Sequence, residues 1–152
     1  MRIHYVNLVD QWKSEKKDLI PIIDEVLSTG RCVNSPVVNQ FEEKVSGLCN
    51  TKYAVALNSG TDALTFALYL VGVRPGDEVI TVPNSFIATT AVIVHLGAKP
   101  IFVDVGQDQN MDINLLEKAI TKKTKAILPV HLTGRIADMN TIMRIAKKYN
   151  IS

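Results

Sequence analysis

Apolar residues along this chain fall into two kinds of pattern. Over residues 11–28 they recur at helical spacing: Leu19, Ile22, Ile23, Val26 and Leu27 share one side, with acids and lysines on the other. Pro21 falls inside this stretch, so the helix either starts near Pro21, where proline suits a first turn, or kinks there. Gly30 is placed to end it. Residues 31–36 read as a loop and residues 37–48 as a second, short helix. From residue 53 onward the rhythm changes. Short apolar runs at 53–57, 79–82, 100–105 and 125–130 alternate with longer stretches at 61–71, 86–96, 112–120 and 138–149. The short runs are nearly continuous in apolar character, as expected of strands covered on both faces. Four strands alternating with four helices predict an α/β fold: a mostly parallel sheet with helices on both faces. The punctuation agrees, with a turn at Gly76-Asp77, a stop at Gly97 and a helix cap at Asp112. Residues 151–152 begin what the rhythm predicts to be another strand, and the expectation is that the chain is a truncated piece.

Composition narrows the picture a little. A length of 152 residues suits one domain, and 47% hydrophobic with 21% charged residues is ordinary for a soluble globular protein. A formal net charge of +2 gives no argument for nucleic acid, and the cluster Lys122, Lys123 and Lys125 reads as a solvated turn between a helix and a strand. Cys32 and Cys49 lack metal-ligand spacing, which points to a reduced, cytoplasmic protein without a metal centre. The first residues hold no signal-peptide-like apolar run, and the apolar stretch at 86–96 is too short to span a bilayer.

The candidate chemistry lies where strands run into helices. At Asn58-Ser59-Gly60-Thr61 an apolar run passes directly into an apolar helix. Ser59 can cap that helix, with Asp62 placed to complete a reciprocal capping box. Gly60 permits close backbone approach, and the helix start offers free N–H groups at a positive dipole end, with the Thr61 hydroxyl beside them. An anion site and a bare helix cap are both consistent with these residues. No Gly-x-x-x-x-Gly-Lys-Ser/Thr and no Gly-x-Gly-x-x-Gly occurs, which argues against a nucleoside triphosphatase and a dinucleotide fold. The next strand ends at Pro83-Asn84-Ser85-Phe86, and Phe86 either stacks on a flat ligand ring or packs as a core or staple aromatic. His131 follows the strand at 125–130 and either reaches the ligand region or caps the strand end. His95 reads as structural, on a buried-looking helix, and His4 is uninformative.

Taken in order, these segments resemble the DegT/DnrJ/EryC1/StrS group of aminotransferases, which use pyridoxal 5'-phosphate and act on nucleotide-linked keto-sugars. Val6-Asn7-Leu8 with Gln11-Trp12 resembles the family's first segment. Thr29-Gly30-Arg31-Cys32-Val33-Asn34-Ser35-Pro36, followed by Phe41-Glu42, resembles its Gly-Pro…Phe-Glu region. Asn58-Ser59-Gly60-Thr61-Asp62-Ala63-Leu64 matches its Ser-Gly-Thr phosphate motif. Gly76-Asp77-Glu78-Val79, Ser85-Phe86-Ile87-Ala88-Thr89 and Pro129-Val130-His131-Leu132-Thr133-Gly134 match later blocks. Two departures stand out: Ser35 where a glycine is usual, and Gly47-Leu48-Cys49 in place of an aromatic-Gly helix ending.

The resemblance implies that residues 1–152 are the N-terminal part of the large, cofactor-binding domain of a fold-type-I transferase, with 1–36 as N-terminal helix and loop. It implies that Ser59, Gly60 and Thr61 hold the cofactor phosphate and that Phe86 stacks on the pyridine ring. Asp62 is then a cap and not a ligand. The family's pyridine-nitrogen aspartate and Schiff-base lysine would come from segments further along, so no residue here is assigned as catalytic and the isolated chain is expected to be inactive. The implied partners are a nucleotide-linked keto-sugar, an amino donor such as glutamate and a second subunit in a homodimer, with no nucleic acid and no membrane. Alternatives are a sugar dehydratase of the same family, another fold-type-I enzyme such as a carbon–sulfur lyase, or a non-catalytic phosphate-binding or interaction module.

Overall fold

The computed structural model describes residues 5–31, 33 and 35–152. His4 and Cys32 of the sequence reading lie outside them. The described chain forms two compact units, Met1–Ala56 and Leu57–Ser152.

In the first unit Asn7 opens helix α1 (Leu8–Ser28), its side chain accepting the Asp10 N–H at 3.3 Å. This cap starts the helix ahead of the expected residue 11. Pro21 sits inside α1 and does not begin it, so of the two readings the interior proline is the one found. Gly30 follows the helix with φ +66°, a left-handed conformation that suits glycine, and its N–H reaches Leu27 O at 3.0 Å. Helix α2 (Pro36–Leu48) begins on proline, with Ser35 Oγ accepting the Val37 N–H.

Residues 53–57 correct the strand count. Tyr53, Val55 and Leu57 are exposed, and no strand forms there. A strand exists only as half of a ladder, and the described residues give this stretch no partner. The Ala56 N–H goes instead to Glu42 Oε1 at 2.7 Å.

The second unit carries the sheet. Helix α3 (Gly60–Leu70) precedes strand β1 (Glu78–Thr81), helix α4 (Ile87–His95), strand β2 (Lys99–Phe102), helix α5 (Ile113–Ala119), strand β3 (Thr124–Ile127) and helix α6 (Met139–Tyr149). The three strands are parallel in the order β2-β1-β3. Alternate residues feed two cores, because successive side chains of a strand point to opposite faces. Val79 and Ala126 pack with Leu68, Val92 and Ile93 from α3 and α4. Ile80, Val82 and Ile127 pack with Leu116, Ile142 and Ile145 from α5 and α6. Helices therefore cover both faces, as the continuous apolar runs predict. Past Asn150, in the left-handed conformation at φ 55°, the Ser152 N–H bonds Lys125 O and the Ile127 N–H bonds Ser152 O. That is the parallel ladder pattern, on the edge of β3 away from β1.

Candidate functional site

Parallel strands send all their carboxyl ends to one edge, and ligands of open α/β sheets bind beyond that edge. β1 runs into Phe86 there, and β3 runs into His131.

At the start of α3, Ser59 is the N-cap, and its Oγ accepts the Asp62 N–H at 3.1 Å. The first turn of the helix takes the Ala63 N–H to Ser59 O at 3.1 Å. Among the described residues the Gly60 and Thr61 N–H groups have no acceptor, and neither does the Thr61 hydroxyl. The capping box is only half formed: the Ser59 N–H does not donate back to the Asp62 carboxylate. Aspartate is one methylene shorter than the glutamate that usually closes that loop. A Cβ built on Gly60 meets nothing within 4 Å, and its φ is not in the left-handed region. The missing side chain thus answers no demand of this chain's own packing. It leaves room for an outside group.

Gly60, Thr61, Ala63, Leu64, Phe86 and Ala88 line one cavity of about 670 Å³. Phe86 is 76% exposed as a residue, so it is not a core aromatic. Phe86 is also the N-cap of α4 and makes no side-chain cap bond. Two helix starts therefore meet at a largely apolar hollow, with backbone donors at one side and an aromatic ring on its wall. An anion attached to a flat ring fits these residues: the donors match the anion, and the apolar wall matches the ring. A second cavity, of about 610 Å³, lies among Thr121, Thr124, Lys125 and Ile151, beside the amino end of β3 and away from every predicted site residue.

His131 caps no strand end and is not among the residues that line the cavity. Its Nδ1 accepts the Ala137 N–H at 3.1 Å, and its residue surface is exposed. His95 closes α4 but is exposed, because the buried stripe of α4 (Ala88, Thr89, Val92, Ile93) passes it by. Two asparagines at the carboxyl edge have hydrogen-bonding roles that the sequence did not assign, Asn84 within the Pro83–Phe86 segment and Asn110 outside every motif. Asn110 is buried within a hydrogen-bonded loop, and Asn84 Oδ1 is buried with no partner among the described residues. Asn110 neither breaks a periodicity nor completes a motif, so only the folded loops reveal its role. The described residues hold no group of His, Cys, Asp or Glu arranged to bind a metal, and no helix long and apolar enough to cross a membrane.

Residues 13–152 match the DegT/DnrJ/EryC1/StrS aminotransferase family. The chain belongs to this family. It is 40% identical over 150 residues to a UDP-2-acetamido-2-deoxy-3-oxo-D-glucuronate aminotransferase of Pseudomonas aeruginosa, covering 98% of this chain and 42% of that one. It is 38% identical over 152 residues to a pleiotropic regulatory protein of Geobacillus stearothermophilus, covering 99% of this chain and 41% of that one. Among solved structures, ntda from Bacillus subtilis with bound cofactor PMP superposes with a TM-score of 0.92 at 39% identity, over 100% of this chain and 36% of that one. The fold is accordingly the one that family members of this kind share over their matching part. The chain spans between about a third and two-fifths of the length of the curated relatives it matches.

Proposed function

We propose that this chain supplies the phosphate cup and the ring-stacking wall of a pyridoxal 5'-phosphate-dependent aminotransferase that acts on a nucleotide-linked keto-sugar. The observation that carries the reading is the shared cavity: Gly60 and Thr61, with free donors, and the exposed Phe86 line the same hollow. The Gly60 and Thr61 amides and the Thr61 hydroxyl would hold the phosphate, with Ser59 keeping the helix start in shape. Phe86 would hold the ring flat, and the apolar residues beside it would exclude water. When bound, the cofactor supplies an electron sink through which an amino group is accepted and passed on. The P. aeruginosa relative's name, a 3-oxo sugar joined to UDP, supports the substrate class. Residues 1–152 are then the opening part of the cofactor-binding domain. The further parts of the reading are glutamate as donor, a homodimer and a cytoplasmic setting. Without the aspartate and lysine that the family resemblance places in later segments, these residues alone bind and do not turn over.

The test is equilibrium binding to the 152-residue chain. Pyridoxal 5'-phosphate is expected to bind more tightly than pyridoxal, inorganic phosphate to compete with it, and amino transfer from glutamate to a keto-sugar nucleotide to stay at background. Equal binding of pyridoxal and its phosphate ester would contradict the cup, and turnover would contradict the half-site.

A further inference from the structure

Three loops leave the carboxyl ends of β1, β2 and β3, and two asparagine side chains tie them together. Asn110 is 2% exposed. Its Nδ2 donates to Arg135 O at 3.2 Å and to Asp108 Oδ2 at 3.3 Å, and its Oδ1 accepts the Leu132 N–H at 3.2 Å. One buried amide thus takes both ends of the single 3₁₀ turn Leu132–Gly134. That turn holds Thr133 at φ 51° and Gly134 at φ 84°. A β-branched residue in the left-handed region persists only where its surroundings hold it. One residue upstream of Asn110, Gln109 O accepts from Asn84 Nδ2 at 3.0 Å, and Asn84 lies two residues before Phe86.

The turn determines how His131 stands. Because Nδ1 accepts the Ala137 N–H, that nitrogen carries no proton, and the neutral ring has its hydrogen on Nε2. Nε2 makes no hydrogen bond among the described residues, so the donor is free. Keeping it so requires Ala137 to stay in place at the far end of the turn that Asn110 grips. No other kind of side chain of this size does this. Aspartate would set an acceptor against the Arg135 carbonyl, and leucine would leave both turn ends unpaired in a buried place.

We infer that Asn110 is a positioning residue: it holds the turn after β3 so that His131 keeps a fixed, free Nε2–H donor at the carboxyl edge of the sheet, in register with the loop that carries Phe86. This rests on the reading of the carboxyl edge as the ligand side. The readout chosen needs no cofactor, so failure of that reading appears in the phosphate competition and failure of this one does not.

The experiment is long-range proton–nitrogen NMR of the histidine rings in the 152-residue chain, with amide exchange, on the natural sequence and on Asn110→Asp. The natural chain is expected to show His131 as the Nε2–H form alone. Asn110→Asp is expected to give a mixture of both ring forms, with exchange at Leu132 and Ala137 about tenfold faster or more and Val79 and Ile80 unchanged. An Nδ1–H ring in the natural chain would overturn the inference without any variant. So would an unchanged ring form and unchanged exchange in Asn110→Asp. Loss of protection throughout the strands would also overturn it, because Asn110 would then support the whole fold and not the presentation of one side chain.

Discussion

Gly60 and Phe86 are unusual in that the folded chain makes no use of what distinguishes them. Nothing lies within 4 Å of a Cβ built on Gly60, and Phe86 is exposed. Their identities are therefore expected to matter to a ligand and little to stability. Gly60→Ala adds a methyl group at the phosphate position, and the approach it blocks carries charge-assisted hydrogen bonds of about 1.5–3 kcal/mol. It is expected to weaken pyridoxal 5'-phosphate binding by about tenfold, or ~1.4 kcal/mol, with a melting temperature as high as that of the natural chain. Phe86→Ala is expected to change stability by no more than about 0.5 kcal/mol, as an exposed substitution. It should weaken binding of the whole cofactor while sparing inorganic phosphate. Calorimetric melting and binding titrations on the two variants check both halves; a large loss of stability in either would return these residues to a structural role. At this scale the Ser59-capped helix start was legible in the sequence, because a cap residue and the start of an apolar helix are local chemistry. The asparagine amides were not, because Asn110 acts on Leu132 and Arg135 across a loop that no spacing rule connects.

Helices proved easier to read than strands, for a reason the elements make plain. A helix satisfies its own backbone, so Asp112 and Asp138 as caps and Gly30 and Gly97 as stops suffice to mark it. A strand depends on a neighbour. Residues 79–82 and 125–130 found one and residues 53–57 did not, although all three read alike as apolar runs. β3 is shorter than its run: it ends at Ile127, two residues before Pro129, which has no N–H to donate. Electrostatics at α5 and α6 bear on stability as well. The Lys148 ammonium, then the Tyr149 hydroxyl, hold the Glu117 carboxyl below the usual range. The Thr141 N–H does the same for the Asp138 cap. A carboxyl whose folded value is depressed adds stability that is complete above its unfolded value and is lost as pH falls through the folded one. The melting temperature is therefore expected to fall as pH drops below the ordinary carboxylate range, modestly because both groups are exposed. Asp138→Asn combined with Glu117→Gln should flatten that dependence in a pH series of thermal melts, and an equally steep profile would contradict the assignment.

At the scale of the whole molecule, the sheet and its two cores belong to the second unit, and so does every residue of the proposed cup. Family membership agrees with the order of motifs along the chain, each weak alone: Ser59-Gly60-Thr61, Ser85-Phe86 and Pro129-Val130-His131. The fold joins two of these segments at one cavity, and it sets the third on the neighbouring strand at the same edge. This cavity is the one proposed to hold the phosphate and ring of the cofactor. The direct measurement is amide chemical-shift mapping of the 152-residue chain titrated with pyridoxal 5'-phosphate. The largest shifts are expected at Gly60 and Thr61, with smaller ones at Phe86, Ile87 and Ala88, and inorganic phosphate alone should reproduce only the first group. Shifts centred on Thr121, Lys125 and Ile151, or none at Gly60 and Thr61 at saturating ligand, would contradict it.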